Sequence, residues 1–161
     1  ERLADIILPR VRETLPTARL DLVGAEPAAR VRALAGRPGV RVLGHVADLN
    51  AALNEATVFV APLRFAAGVQ NKVLEAMAAG LPVVTTAEVN AGLRATPGEH
   101  LLLAEDDDAL VAATAALLGD AAERTRLGQA GRAFVLENFR WESVVERMRE
   151  IAARLQKQND K

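Results

Sequence analysis

The sequence predicts an α/β fold, a doubly wound parallel sheet with helices on both faces in three αβα layers. Three observations predict it. Short β-branched runs alternate with longer stretches of helical periodicity, the pattern of strand–helix–strand units joined by right-handed crossovers. The longest apolar runs, residues 57–62 and 81–85, have strand length and fall far below the ~20 residues a bilayer span needs. Aromatic residues are scarce, with four Phe, one Trp and no Tyr, so Ala, Leu and Val fill the core, which suits helices packed closely on a sheet. A chain of 161 residues builds one core and rarely two, and residues 1–161 read as a single unit.

Taken in order, residues 2–15 read as a helix with Leu3, Ile6, Ile7 and Val11 on one face and Pro16 closing it. Pro9 lies inside and is expected to kink this helix or mark its first regular turn. Residues 19–24 form a strand ending in Gly24, 30–35 a short helix, 36–39 a turn and 40–44 a second strand. Asp48 is placed to cap a helix over 49–55. Residues 57–61 form a third strand, apolar enough for burial on both faces. A helix over 69–79 is stopped by Gly80 and Pro82, and strands follow at 82–86 and 100–103. Asp106, Asp107 and Asp108 open a helix over 109–118, where carboxylates face its positive end. Helices over 121–135 and 141–156 precede a polar tail, 157–161.

Composition narrows the function. Twenty basic residues against twenty-one acidic give a net charge of −1, without the concentrated basic face that nucleic-acid binding requires. Cysteine is absent, and His45 and His100 stand in unrelated segments, so no metal site and no metal cofactor are expected. The opening Glu1-Arg2-Leu3-Ala4-Asp5 lacks the basic-then-apolar order of a signal peptide, which points to a cytoplasmic protein, at most peripheral to a membrane. Because it opens without Met inside a helical pattern, the sequence is expected to be part of a longer chain.

In an open parallel sheet, ligands bind beyond the carboxyl ends of the strands. Four such ends are visible, and the third, from Ala61 to Gln70, is the most informative. A strand enters a loop, Gly68 lets the backbone approach a ligand closely, and a helix begins at once. The free N–H groups near Val69, Gln70 and Asn71 make an anion site. Glu75 stands about one turn further on, where a carboxylate accepts hydrogen bonds from two vicinal sugar hydroxyls, while Lys72 and Arg64 bring positive charge to the same mouth. Phosphate plus ribose is a nucleotide. The competing reading of Glu75 is a solvated helix residue paired with Lys72.

The stretch Leu74-Glu75-Ala76-Met77-Ala78-Ala79-Gly80-Leu81-Pro82-Val83-Val84 resembles the donor-site signature of the group 1, or family 4, glycosyltransferases. Other landmarks stand in the family's order: Pro16 to Gly24, Val40 to Leu49, Ala56 to Pro62, and Asn138-Phe139-Arg140-Trp141-Glu142. The resemblance covers nearly the whole chain. It implies a B-type fold of two Rossmann-like domains facing a cleft, this chain being the C-terminal one, which carries the nucleotide-diphosphate sugar. It implies a retaining hexosyltransferase acting on a glycan or lipid-linked acceptor. Glu75 matches the second of the signature's two glutamates, which would hold the ribose hydroxyls; the first falls on Ala67, a departure that puts donor-sugar identity in doubt and leaves catalytic residues unassigned. The Ala66-to-Lys72 variant is similar to a subgroup tied to bacterial exopolysaccharide systems, in which Gln70, Asn71 or Lys72 would take over sugar or phosphate contacts. Gly24 and Val46 join the candidate donor-binding set from the ends of the first two strands. The family's first strand of this domain and its N-terminal acceptor domain are expected to precede Glu1, so the chain alone is expected to be inactive. The runner-up is a degenerate, noncatalytic nucleotide-binding module. A receiver domain is rejected because the central strand ends in Ala61-Pro62 rather than Asp.

Overall fold

A computed structural model describes residues 1–140 together with Val145 and Arg149. Apart from Val145 and Arg149, the expected helix over 141–156, with Trp141, lies outside the described residues. Among the described residues five strands alternate with helices, and every pairing between these strands is parallel. The ladder comes in two pieces. Strand β1 (Leu20–Val23) pairs with β2 (Val40–Gly44), while β3 (Phe59–Ala61), β4 (Val83–Thr85) and β5 (Leu102–Leu103) form a second ladder in that order.

The chain opens with a π-helical turn, Leu3–Ile7, running directly into α1 (Leu8–Thr14). Pro9 explains the junction. It has no N–H to donate to the carbonyl four residues back, so the turn before it widens and regular α geometry starts around it. This helix serves both ladders: Ala4 and Leu8 pack with Leu34 and Val40 over β1–β2, and Ile7 and Val11 pack with Val84, Leu110 and Leu117 beside β4. Ala18 touches both groups.

The three-stranded ladder has an αβα arrangement. On one face Val83 meets Val73, Ala76 and Met77 of α4 (Asn71–Ala78) and Val89 and Leu93 of α5 (Ala87–Leu93). On the other, Val84 meets α1 and Leu110 and Leu117 of α6 (Asp107–Gly119). Neighbouring residues of a strand point to opposite faces, so two consecutive valines supply both cores. The fully buried strand is β4, not β3, in which Phe59 and Val60 are only half-buried. β4 has a partner on each edge, whereas β3 is paired on one edge among the described residues.

Local signals account for most helix boundaries. Asp48 caps α3 (Leu49–Glu55) by accepting from the Ala51 amide at 3.0 Å, Asp106 caps α6 through the Ala109 amide at 2.7 Å, and Asp120 caps α7 (Ala121–Asn138) through the Glu123 amide at 2.9 Å. The segment after β1 coils as α2 (Ala29–Arg32) and a 3-10 turn, Ala33–Gly36. Helix α5 was not expected from sequence; its C-terminus is held by Asn90, whose side chain both donates to the Ala95 carbonyl (2.9 Å) and accepts from the Ala95 amide (3.1 Å). Helix α7 closes on α4 where a Cβ on Gly128 would fall on the carbonyl of Gly80, so only glycine permits that approach. His100 stacks on Phe134 at 4.7 Å between ring centroids, its Nδ1 accepting from the Thr96 amide. None of the described helices is long and apolar enough to cross a membrane.

On the outer surface of β1–β2, Arg41 grips the Asp21 carboxylate with two hydrogen bonds, which hold its pKa below the ordinary carboxylate range. A lowered folded-state pKa stabilises the fold above the unfolded pKa and loses that contribution as pH falls through the folded value. Asp21→Asn is therefore expected to lower the unfolding free energy measured by urea denaturation at pH 7 by less than about 1 kcal/mol, because the pair is exposed. The difference between parent and variant should shrink as the pH falls through the folded-state pKa of Asp21.

Candidate functional site

The loop between β3 and α4, residues 62–70, is fixed from below by the end of β4. The buried Thr85 hydroxyl donates to the Ala61 carbonyl at 2.9 Å, and the Thr86 hydroxyl donates to the Leu63 carbonyl at 2.7 Å. Ala66 tucks against the core, while Ala67 and Gly68 stand exposed. Gly68 has φ of +63°, a left-handed conformation that costs a residue with a Cβ but not glycine.

Helix α4 starts at Asn71, two residues later than the sequence pattern indicated. Gln70 is extended (φ −91°, ψ 99°) and serves as N-cap without a side-chain cap of its own; its Nε2 turns back to the Ala67 carbonyl at 3.3 Å. The Gln70 carbonyl accepts from Val73 and Leu74. The amides of Asn71 and Lys72, by contrast, have no acceptor among the described residues. The open donors of the helix thus sit at 71 and 72, with Val69 left in the loop.

Val73, Ala76 and Met77 turn into the core, so Asn71, Lys72 and Glu75 share the outward face. Glu75 is four positions beyond Asn71, a rise of about 6 Å along the axis. Glu75 is exposed, and the ion pair with Lys72 that would make it a mere surface residue is not formed among the described residues.

Arg64 is exposed and borders a concavity of about 420 Å³ shared with Arg2, Thr86, Glu88, Glu105, Asp106 and Asp107. Glu75 lies outside this hollow. Arg2 is engaged there with Asp107 and, at 3.3 Å, with the Pro62 carbonyl; Glu105 accepts from the Ala87 amide at the start of α5. Sequence reasoning marked the end of β4 as a ligand position but singled out none of Arg2, Thr86 or Glu105. The strand-end rule applied to β4 and β5 finds Thr86 and Glu105; Arg2 has no local signal.

Gly24 and Val46 end the other ladder. The Gly24 amide donates to the Gly44 carbonyl at 2.9 Å, Val46 is half-buried in the loop before α3, and Glu26 beside them has φ of +49°. Among the described residues no hydrogen bond links this pair to residues 64–75. The same residues include no cluster of three or more His, Asp or Glu able to hold a metal ion.

A family model described as "Glycosyl transferases group 1" matches residues 1–120. The chain belongs to this family. A mannosyltransferase of Corynebacterium glutamicum, described as a GDP-mannose-dependent monoacylated alpha-(1-6)-phosphatidylinositol monomannoside mannosyltransferase, is 31% identical over 156 residues, covering 89% of this chain and 41% of that protein. Among solved structures, sucrose-phosphate synthase (tll1590) from Thermosynechococcus elongatus superposes with a TM-score of 0.75 at 28% identity, over 94% of this chain and 42% of that one. Anabaena Alr3699/HepE, solved in complex with UDP, matches with a TM-score of 0.75 at 18% identity over 94% of this chain and 44% of that one. This group 1 chain spans about two-fifths of each relative's length. The expected C-terminal part of a group 1 glycosyltransferase, with a Rossmann-like fold, fits these matches.

With no partner to lose among the described residues, Glu75→Gln should change folding stability by no more than about 0.5 kcal/mol. Chemical denaturation of the two proteins checks this, and a larger loss would mean that the carboxylate has a structural partner.

Proposed function

We propose that this chain is the donor-binding part of a retaining glycosyltransferase that moves a hexose from a nucleotide-diphosphate sugar to a glycan or lipid-linked acceptor. One observation carries the reading: the open amides of Asn71 and Lys72 follow Gly68, and the unpaired Glu75 carboxylate stands one turn away on the same outward face. Amides at a helix N-terminus carry fixed partial positive charge and attract a diphosphate without reorganising. The Lys72 ammonium and the Arg64 guanidinium add full charge and stabilise the diphosphate as it leaves the sugar. Glu75 accepts from the two ribose hydroxyls. Gly24 and Val46 supply the base contacts from the neighbouring ladder, through backbone rather than side chain. The GDP-mannose dependence of the mannosyltransferase relative and the UDP bound in HepE support a nucleotide diphosphate as the common element.

The split ladder supports the expectation that a strand belonging to this unit comes before Glu1. β1 and β3 each have one unpaired edge among the described residues, and the helix that opens the chain packs on both ladders. The acceptor domain would contribute the remaining catalytic groups, in a protein of the bacterial cytoplasm or its membrane surface. No metal cofactor enters this reading. Ala67 favours the second reading, a nucleotide-binding module without transfer activity, because the loop offers no carboxylate at that exposed position.

Three measurements test the proposal. Titrated with uridine or guanosine diphosphate, the chain is expected to bind more weakly than micromolar and to turn over no donor; sub-micromolar affinity or turnover by the chain alone would refute the division of labour. Glu75→Gln is expected to weaken binding by about 1.5–3 kcal/mol, about ten- to hundredfold, because a charged acceptor is lost. Equal affinity in parent and variant would remove Glu75 from the site. With the native acceptor domain attached, donor hydrolysis separates the transferase from the inert module.

A further inference from the structure

We infer that Gly92, on α5 and outside every donor-contact segment, is a positioning residue for the donor loop. This rests on the donor reading of residues 68–75. A Cβ built on Gly92 would land on the carbonyl oxygen of Gly68, 2.7 Å from its carbonyl carbon and 3.2 Å from the Val69 nitrogen. Helix α5 therefore touches the Gly68–Val69 peptide itself, two residues before the N-cap Gln70 and three before the open amide of Asn71. The two sides of the contact are unequal. Helix α5 is anchored by Val89 and Leu93 in the core, by Glu105 on its first amide and by the Asn90 clamp on Ala95. Gly68 is exposed, with nothing within 4 Å of where its own Cβ would stand. Added volume at 92 is relieved by the loop moving outward rather than by the helix retreating. The absent side chain on α5 sets how far the loop sits from the sheet, and through it where the Asn71 and Lys72 amides point.

The test titrates uridine and guanosine diphosphate into the chain and into its Gly92→Ala and Leu117→Ala variants. Amide hydrogen exchange over residues 66–72 is followed in each without nucleotide. Gly92→Ala is expected to keep its secondary structure, to exchange faster across 66–72 and to bind nucleotide about tenfold more weakly, since small misplacements of binding groups are costly. Leu117→Ala opens a cavity in the other core cluster; it should melt earlier while loop exchange and affinity stay within about twofold of the parent. Unchanged exchange and affinity in Gly92→Ala overturns the role, as does an equal loss of affinity in Leu117→Ala. A parent chain that binds neither nucleotide defeats the donor reading instead, and loop exchange in Gly92→Ala then decides the positioning role alone. Should Gly92→Ala not fold, Asn90→Ala frays the turn carrying Gly92: faster exchange at 91–95 must be accompanied by faster exchange at 66–70, and an unmoved loop overturns the inference.

Discussion

Strand β4 is the element the rest of the ligand-facing edge depends on. It is hydrogen-bonded on both sides and buried on both faces, with Val83, Val84 and Thr85 fully inaccessible. A slip of one residue would exchange the faces of all three, so its register is fixed. That fixed register aims the two threonine hydroxyls at the end of the strand toward the carbonyls of Ala61 and Leu63. A buried hydroxyl without a partner is costly, and these two satisfy themselves on the backbone of the loop. The stem of the loop, Ala61 to Leu63, is therefore tied to the buried strand, while Gly68 further along stands exposed.

The charge layout follows from the same tie. On the hollow side, Arg2 is engaged by Asp107 and the α6 cap is carboxylate-rich, while Arg64 stands exposed at the rim. On the α4 side, Lys72 and the two open amides have no anion among the described residues. This layout supports the proposed docking of a diphosphate at the start of α4.

Much of the fold was legible because its signals are local. The β2 and α3 boundaries agree residue for residue with the pattern, and the Asp48 and Asp106 caps are where short side chains before helical stretches place them. The start of α4 was misplaced for a definable reason. Val69 falls in phase with Val73 and Met77, so periodicity extends the helix backward, but Val69 is 41% exposed and Gln70 is extended. Helix α5 has only two core residues, Val89 and Leu93, too few to register as a period. The division of the ladder was invisible, because pairing between strands depends on residues far apart in sequence. The candidate set was legible on α4 for its residue types and order; that Arg64 and Glu75 border different surfaces, and that Gly24 and Val46 stand on a separate ladder, are facts of tertiary placement.

The N-terminal helix that packs on both ladders bears on how the molecule comes apart. Each ladder has its own cluster of apolar side chains, and Ala18 with the two faces of this one helix is the chief bond between them. A protein so joined need not melt as one cooperative block: loosening the turn around Pro9 would release the β1–β2 half while the half centred on β4 stays intact. The smaller half would then behave as a semi-independent flap, and its freedom to rock would be governed by a single segment eleven residues before the first strand.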